Sequence, residues 1–213
     1  MIDAIKAQDA ERAQAQLRER PELAEERDEN GVSALMLSYY YGLEIGDEIR
    51  RARTMPLDVF EAATVGDTDR LRELLNEDPS LAGAQSPDQG TALHFAAFFA
   101  QPEAVRVLLD RGADVHAVSP TFGNVTPLHS GAAGKSADVV HALLEAGADP
   151  NARQSGGFAP IHAAAQNGDA DMAHDLLAHG ADPNAESDDG RTPLSVAEQE
   201  GHENVAALLR EAV

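Results

Sequence analysis

The sequence predicts an all-α solenoid of stacked helical units, and three observations carry that prediction. A four-residue signature recurs: Thr91-Ala92-Leu93-His94, Thr126-Pro127-Leu128-His129, Ala159-Pro160-Ile161-His162 and Thr192-Pro193-Leu194-Ser195 start 35, 33 and 33 residues apart. Small pairs (Ala96-Ala97, Gly131-Ala132, Ala164-Ala165) and then leucine pairs (Leu108-Leu109, Leu143-Leu144, Leu176-Leu177, Leu208-Leu209) follow the signatures. Gly112-Ala113-Asp114, Gly147-Ala148-Asp149 and Gly180-Ala181-Asp182 close three of the units. Self-similarity at such a period marks a repeat architecture.

Each element of a unit has a local cause. Thr126 can cap a helix whose first residue is Pro127, where the missing N–H costs nothing. Gly131-Ala132 permits close helix approach, and Leu143 and Leu144 fill the space between neighbouring units. Gly147 supplies a positive-φ helix stop, and Asp149-Pro150-Asn151 is turn chemistry. No unit can bury its apolar face alone, so stability comes from stacking.

The N-terminal part repeats more loosely. Arg20-Pro21-Glu22-Leu23-Ala24 returns as Asp78-Pro79-Ser80-Leu81-Ala82, and Ser33-Ala34-Leu35-Met36 returns as Thr91-Ala92-Leu93-His94, both shifted by 58 residues. A two-unit block is thus duplicated, with Phe60 to Asp67 starting the third unit. The expected organisation is a single domain, 1–213, of seven units beginning near residues 1, 30, 56, 88, 122, 156 and 188. The second is short, because no Gly-Ala-Asp closes it before Met55. Glu198 and Arg210 replace inner-unit Ala and Leu, and Glu11 to Glu19 is polar, so both ends read as caps of a complete solenoid.

These signatures resemble the ankyrin-repeat family, over essentially the whole chain and most specifically from Gly90 onward. The resemblance implies two antiparallel helices per unit, an outward hairpin-like loop, and a curved stack. It also implies partner binding through the hairpin tips and the exposed side of the first helix of each unit.

Composition excludes several functions. The 213 residues hold 16 Lys plus Arg against 37 Asp plus Glu, a formal net charge of −21. Phosphate neutralisation needs a basic footprint, so no nucleic-acid partner is expected. Such a chain repels anionic membranes and attracts basic or polar partners, and no apolar run could span a bilayer. Cysteine is absent, which removes disulfides, zinc–thiolate sites and a cysteine nucleophile. A cytoplasmic monomer without cofactor is the expectation.

Candidate chemistry is sparse. His94, His129 and His162 recur with the repeat and so serve it; in the family this histidine supports the hairpin. His116 falls at a turn position held by Asn151 and Asn184. Asp171, His174 and Asp175 lie at i, i+3 and i+4, with His179 beyond, a spacing that could offer ligands to a divalent metal. The same register holds Asp69 with Arg72, Glu103 with Arg106 and Asp138 with His141, which reads as recurring outer-face pairing. No nucleophile elbow, phosphate-binding glycine loop or His-Glu-x-x-His motif occurs. No catalytic residue and no metal ligand is assigned.

The resemblance directs attention to the first-helix positions four, seven and eight beyond the signature threonine. They hold Leu37, Tyr40, Tyr41; Glu61, Thr64, Val65; Phe95, Phe98, Phe99; Ser130, Ala133, Gly134; Ala163, Gln166, Asn167; and Val196, Gln199, Glu200. Of nine aromatic residues (6 Phe, 3 Tyr, no Trp), Tyr40, Tyr41, Phe95, Phe98 and Phe99 fall there, and Phe122 and Phe158 in hairpin tips, leaving Tyr39 and Phe60 for the core. The alternative is that these rings are packing around the irregular second unit. Gln166, Asn167, Gln199, Glu200, Asp188, Asp189 and Arg191 give the C-terminal half a hydrophilic, mainly acidic character. Arg50, Arg51 and Arg53 form the one basic cluster, at a helix C-terminus where they complement the dipole. The reading is a non-catalytic module binding, on its concave face, a protein with an apolar anchor and basic or polar groups. Its rivals are a metal- or small-molecule-responsive sensor or enzyme using the His174 region, and a self-associating structural protein.

Overall fold

The computed structural model of the chain describes residues 1–212; Val213, the last position of the expected domain, lies outside them. Among these residues fourteen α-helices follow one another in seven pairs. They are α1 (Ile2–Lys6) with α2 (Ala10–Glu19), α3 (Ala34–Tyr40) with α4 (Gly46–Ala52), and α5 (Val59–Val65) with α6 (Thr68–Glu77). Then come α7 (Ala92–Phe98) with α8 (Pro102–Asp110), and α9 (Pro127–Ala133) with α10 (Ala137–Glu145). The series ends with α11 (Pro160–Asn167) and α12 (Ala170–Ala178), then α13 (Pro193–Glu200) and α14 (Glu203–Ala212). Odd-numbered helices pack in one inner row and even-numbered helices in an outer row. None is long and apolar enough to cross a membrane.

The repeated residues form the core between the rows. Leu93, Leu128 and Ile161 of the inner helices are fully buried, as are Leu108, Leu143 and Leu176 of the outer ones. Gly131 is small for a reason: a Cβ there would stand 2.8 Å from Val139 Cγ1. The Gly-Ala-Asp turns are closed by the aspartates, since Asp114, Asp149 and Asp182 accept the N–H two residues on at 2.9, 2.9 and 2.8 Å. Of the expected outer-face pairs, Arg72 meets Asp69 at 3.1 Å and Arg106 meets Glu103, whereas His141 turns to Asp175 of the next outer helix at 3.0 Å. At the far end, exposed Glu198 and Arg210 pair with each other at 2.6 Å.

Five short hairpins project between units. In each, an N–H bonds the carbonyl of the residue just before the next inner helix's N-cap: Asp28 to Val32, Ser86 to Gly90, Ser119 to Val125, Gln154 to Phe158 and Ser187 to Arg191, at 2.9–3.0 Å. The signature histidines tie these hairpins to the unit behind. His94, His129 and His162 accept the N–H of Thr91, Thr126 and Ala159 on Nδ1 at 3.2, 3.2 and 3.1 Å. Their Nε2–H donates forward to the carbonyls of Val125, Phe158 and Arg191 at 3.2, 3.2 and 3.1 Å. These partners fix the tautomer, with the proton on Nε2. Burial pushes all three imidazoles below their ordinary value of 6.5.

The row has one gap. Between α4 and α5 only Arg53 to Asp58 intervene, and no hairpin forms. Glu25 instead accepts the N–H groups of Thr54 and Met55 at 2.8 and 2.9 Å. The flanking hairpins close across the gap, because a Cβ on Gly31 would stand 3.2 Å from Pro87 Cγ. Glu61 occupies the signature-histidine position here. Its Oε2 accepts the Asp58 N–H at 3.0 Å, as the histidines do for their own N-caps. Its other contacts run backward: Arg53 forks onto both oxygens at 2.8 and 3.1 Å. Arg53 is 5% exposed and Glu61 is 0% exposed. Arg50 and Arg51 do lie in the last turn of α4. Arg53 does not serve that dipole as expected; it is a buried tie across the gap.

Two predictions follow from these contacts. Removing one partner of a buried ion pair leaves the other charge uncompensated, so Arg53→Ala is expected to cost about 3–5 kcal/mol, while Arg53→Met with Glu61→Met costs much less. Urea denaturation followed by circular dichroism checks it; a near-equal cost for both variants refutes the tie. Because the signature imidazoles have folded-state values below 6.5, their contribution is complete above that pH and is lost as pH falls beneath it, when the unfolded chain takes up protons that the folded chain refuses. His179 is shifted up, chiefly through its bond to the Asp175 carbonyl, and acts in the opposite sense: its contribution is present below 6.5 and fades as pH rises through its raised value. Three groups oppose one, so melting temperature should drop between pH 7 and pH 5. His129→Ala should shallow that slope and cost about 2–4 kcal/mol at pH 7, by orphaning the Thr126 N–H and part of the Phe158 carbonyl.

Candidate functional site

The inner face carries a continuous trough with two unlike ends. At the N-terminal end is an apolar cavity of about 280 Å³, with Tyr40, Phe95, Phe98, Phe122 and Val125 among its walls. The C-terminal end is a wider groove of about 590 Å³ along α11 and α13, with Lys135, Phe158, Gln166, Asn167, Arg191, Gln199 and Glu200 in its lining. His129, Ala133 and Gln154 border both, so the two run together.

The apolar end is built from the gap in the hairpin row. Tyr40, at the end of α3, reaches past the missing hairpin and donates its hydroxyl to Asp88 Oδ2 at 2.7 Å. Burial and the Asp88 carboxylate push its phenol far above the usual range, so it stays neutral and acts as a donor. Asp88 also accepts from Ser86 Oγ. Phe95 is the hub: its ring meets Tyr40, Phe60 and Phe122 at centroid distances of 6.3, 6.0 and 6.5 Å. Gly90 leaves it room, since a Cβ there would stand 2.6 Å from Phe95 Cζ. Phe99 joins the cluster against Tyr39 at 5.6 Å and Tyr40 at 5.7 Å, and Phe98 leans on it at 5.1 Å. Gly134 lets the end of α9 pass close to the Phe98 backbone.

Several expected surface residues therefore lie elsewhere. Phe95 is 2% exposed and belongs to the core, a correction whose cause is the space left by the absent hairpin. Tyr40 and Phe99 are half-buried for the same reason, as are Tyr39 and Phe60, which the sequence placed in the core. Phe98, at 45%, and Phe122, at 42%, remain open on the cavity rim. Tyr41 is exposed but borders neither part of the trough. In the third unit the N-cap is Asp58, so the expected register was one residue early; Glu61 and Thr64 are buried. Leu37, Ser130 and Val196, at position four of their units, are buried too.

The polar end is less acidic than expected. Lys135 and Arg191 line the groove together with Glu200, and Asp188 and Asp189 are matched by Arg153 at 3.2 Å and Arg191 at 2.9 Å. Arg191 also lies over the Phe158 ring, 4.8 Å from its centroid, which leaves Phe158 half-buried at the hairpin base, not at its tip. Asn167 donates to the Ala132 carbonyl at 3.0 Å and ties two units together. Gln166 presents an exposed side chain while its carbonyl accepts from His202 at 3.1 Å. Val125, Gln154 and Asp88 were not singled out from sequence. Their signal was the hairpin register, in which Gln154 faces Phe158 as Ser119 faces Val125.

The His174 region does not gather ligands. Both oxygens of Asp175 are engaged, with His141 at 3.0 Å and His179 at 3.2 Å, and His174 is exposed beside them. No group of three or more His, Asp or Glu among the described residues is disposed to hold a metal ion.

Comparison with known proteins agrees with this architecture. A family model described as ankyrin repeats (3 copies) matches residues 59–154 and 128–212, more than half of the chain. The chain is 42% identical over 93 residues to the E3 ubiquitin-protein ligase XB3 of Oryza sativa subsp. japonica, covering 43% of this chain and 20% of that protein. It is 35% identical over 102 residues to the palmitoyltransferase Hip14 of Drosophila melanogaster, covering 47% and 15%. Over 71 residues it is 44% identical to the regulatory protein NPR5 of Arabidopsis thaliana, covering 33% and 14%. The chain thus spans a fifth or less of the length of these relatives.

The burial contrast within α7 is directly testable. Phe95→Ala is expected to destabilise by about 3–5 kcal/mol, as for a fully buried ring. Phe98→Ala should cost less, about 1 kcal/mol, since nearly half of the residue is exposed. Chemical denaturation of the two variants decides, and equal losses would place Phe98 in the core as well.

Proposed function

The chain belongs to the ankyrin-repeat family, whose members are protein–protein interaction modules, and from that premise we propose that the trough on its inner face holds a segment of a partner protein. The observation that carries this reading is the joining of an apolar cavity to a polar groove. One bulky apolar side chain of the partner enters between Tyr40, Phe98, Phe122 and Val125, over the floor that Phe95 provides. Open aromatic rims of this kind are where interface energy concentrates. The chain beyond that anchor runs along α11 and α13, where Gln166 and Gln199 offer amides and Lys135, Arg191 and Glu200 offer charges of both signs.

Charge acts at two ranges. The net −21 draws cationic partners toward the molecule and speeds encounter at low salt. Inside the groove, paired charges select by hydrogen bonding instead. We assign the chain no catalytic role. The ligase and transferase named among its relatives are far longer proteins, and nothing in the trough pairs a nucleophile with a base.

Selection of displayed random peptides against the full chain tests the proposal. Binders should share one bulky apolar residue flanked by polar or basic ones. Phe98→Ala with Phe122→Ala should weaken them about tenfold or more, a loss of about 1.4 kcal/mol, with an unchanged circular dichroism spectrum. Binders indifferent to the double variant overturn the site. Concentration-dependent sedimentation of the wild type that the variant abolishes would replace it with self-association.

A further inference from the structure

Away from the trough, on the outer side of the molecule, α4 and α6 barely touch, although every outer helix from α6 to α14 packs closely against the next. The space between them is a cavity of about 260 Å³ lined by Arg50, Arg53, Met55, Pro56, Leu57, Asp67 and Arg70. A single water needs only about 10–15 Å³, so a polyatomic ion fits. Three guanidinium groups line it beside a single carboxylate, Asp67, while the other acids that hold them, Glu25, Glu61 and Glu73, stand outside the lining.

The cationic groups are held in place but retain free donors. Arg53 is 5% exposed; its two terminal nitrogens go to Glu61, and one also lies 3.3 Å from Glu25, while its Nε is buried with no hydrogen-bond partner among the described residues. Arg70 is anchored through Nε to the Leu57 carbonyl and through Nη1 to Glu73, both at 3.1 Å. Arg50 makes one contact, 3.3 Å from Nη2 to Asp67 Oδ2. Asp67 is itself engaged as the N-cap of α6, its other oxygen accepting the Arg70 N–H at 3.1 Å.

We propose that this cavity binds a phosphate-type oxyanion, which bridges Arg50, Arg53 and Arg70 and so closes the seam between the second and third helix pairs. Guanidinium forks match the oxygens of such an ion. Because Tyr40 stands on the α3 side of the seam and Phe95 on the other, the ion also steadies the wall of the trough. The inference stands apart from the proposed partner binding and needs no peptide to test.

Thermal melts of the full chain, in phosphate or phenyl phosphate against chloride at matched ionic strength and pH, provide the test. At tenfold the dissociation constant the melting temperature should rise by about 3–6 °C, and Arg50→Gln with Arg70→Gln should abolish the rise while preserving the helical spectrum. Should the double variant fail to fold, Arg50→Gln alone, at an exposed side chain, must weaken the response several-fold. Tighter binding of phenyl phosphate assigns the site to phosphomonoesters, and equal binding assigns it to the free ion. A rise of the same size in wild type and variant is general anion exclusion, and it overturns the proposal, as does no rise at all.

Discussion

The stack depends on one backbone carbonyl per unit, the one just before each inner helix. A carbonyl has two lone pairs, and burial without partners is costly. At Val125, Phe158 and Arg191 the hairpin's own N–H takes one, and the imidazole of the preceding unit takes another. The imidazole suits this place because it accepts on one nitrogen and donates on the other. It can therefore satisfy its own helix's N-cap and the next unit's hairpin together. Stacking and hairpin formation are thereby one event.

From the fourth unit on, and in the second, the residue at that position matches what lies ahead of it. Histidine stands in the three units that hand a bond to the hairpin in front. Met36 stands in the unit that no hairpin follows, where a donor would be orphaned. Ser195 stands in the last helix pair and bonds only its own Thr192, through N–H to Oγ at 3.0 Å. Glu61 keeps the local capping role but turns its charge backward to Arg53. At Gly90, which receives no imidazole, Ser86 Oγ donates at 2.9 Å instead. The gap in the hairpin row is consequently a consistent local rewiring, with an ion pair and an aromatic cluster replacing a hydrogen-bond relay.

Much of this was legible in the sequence where spacing alone decides structure. The helix pairs and the leucine and glycine positions follow from the period, and the hairpin role of His94, His129 and His162 from the family resemblance. Exposure was not legible, because it depends on what the neighbouring unit supplies. Phe95 holds the same position as Ser130 and Ala163, yet it becomes a hub because Tyr40, Phe60 and Phe122 close around its ring. The third unit was read one residue early, although Asp58 and Glu61, three apart, carried a capping-box signal that fixes the N-cap. Arg53 read as a complement to a helix dipole because its partner lies across an irregular junction, where no repeat spacing points.

The same relay also sets the chemistry of the trough. His94 and His129 border the apolar cavity, and eight histidines in a chain would suggest titratable or ligating side chains there. Both ring nitrogens of each are already engaged, and burial holds each below its ordinary value, so at neutral pH they are uncharged. The cavity wall is left with rings, methyl groups, a neutral phenol and the uncharged side chains of Ser130 and Gln154. The relay withdraws its polar atoms from solvent in α7, α9 and α11 alike, so the two ends of the groove differ through their other side chains. Rings from α3, α7 and the following hairpin line one end, and glutamines and charged side chains along α11 and α13 line the other.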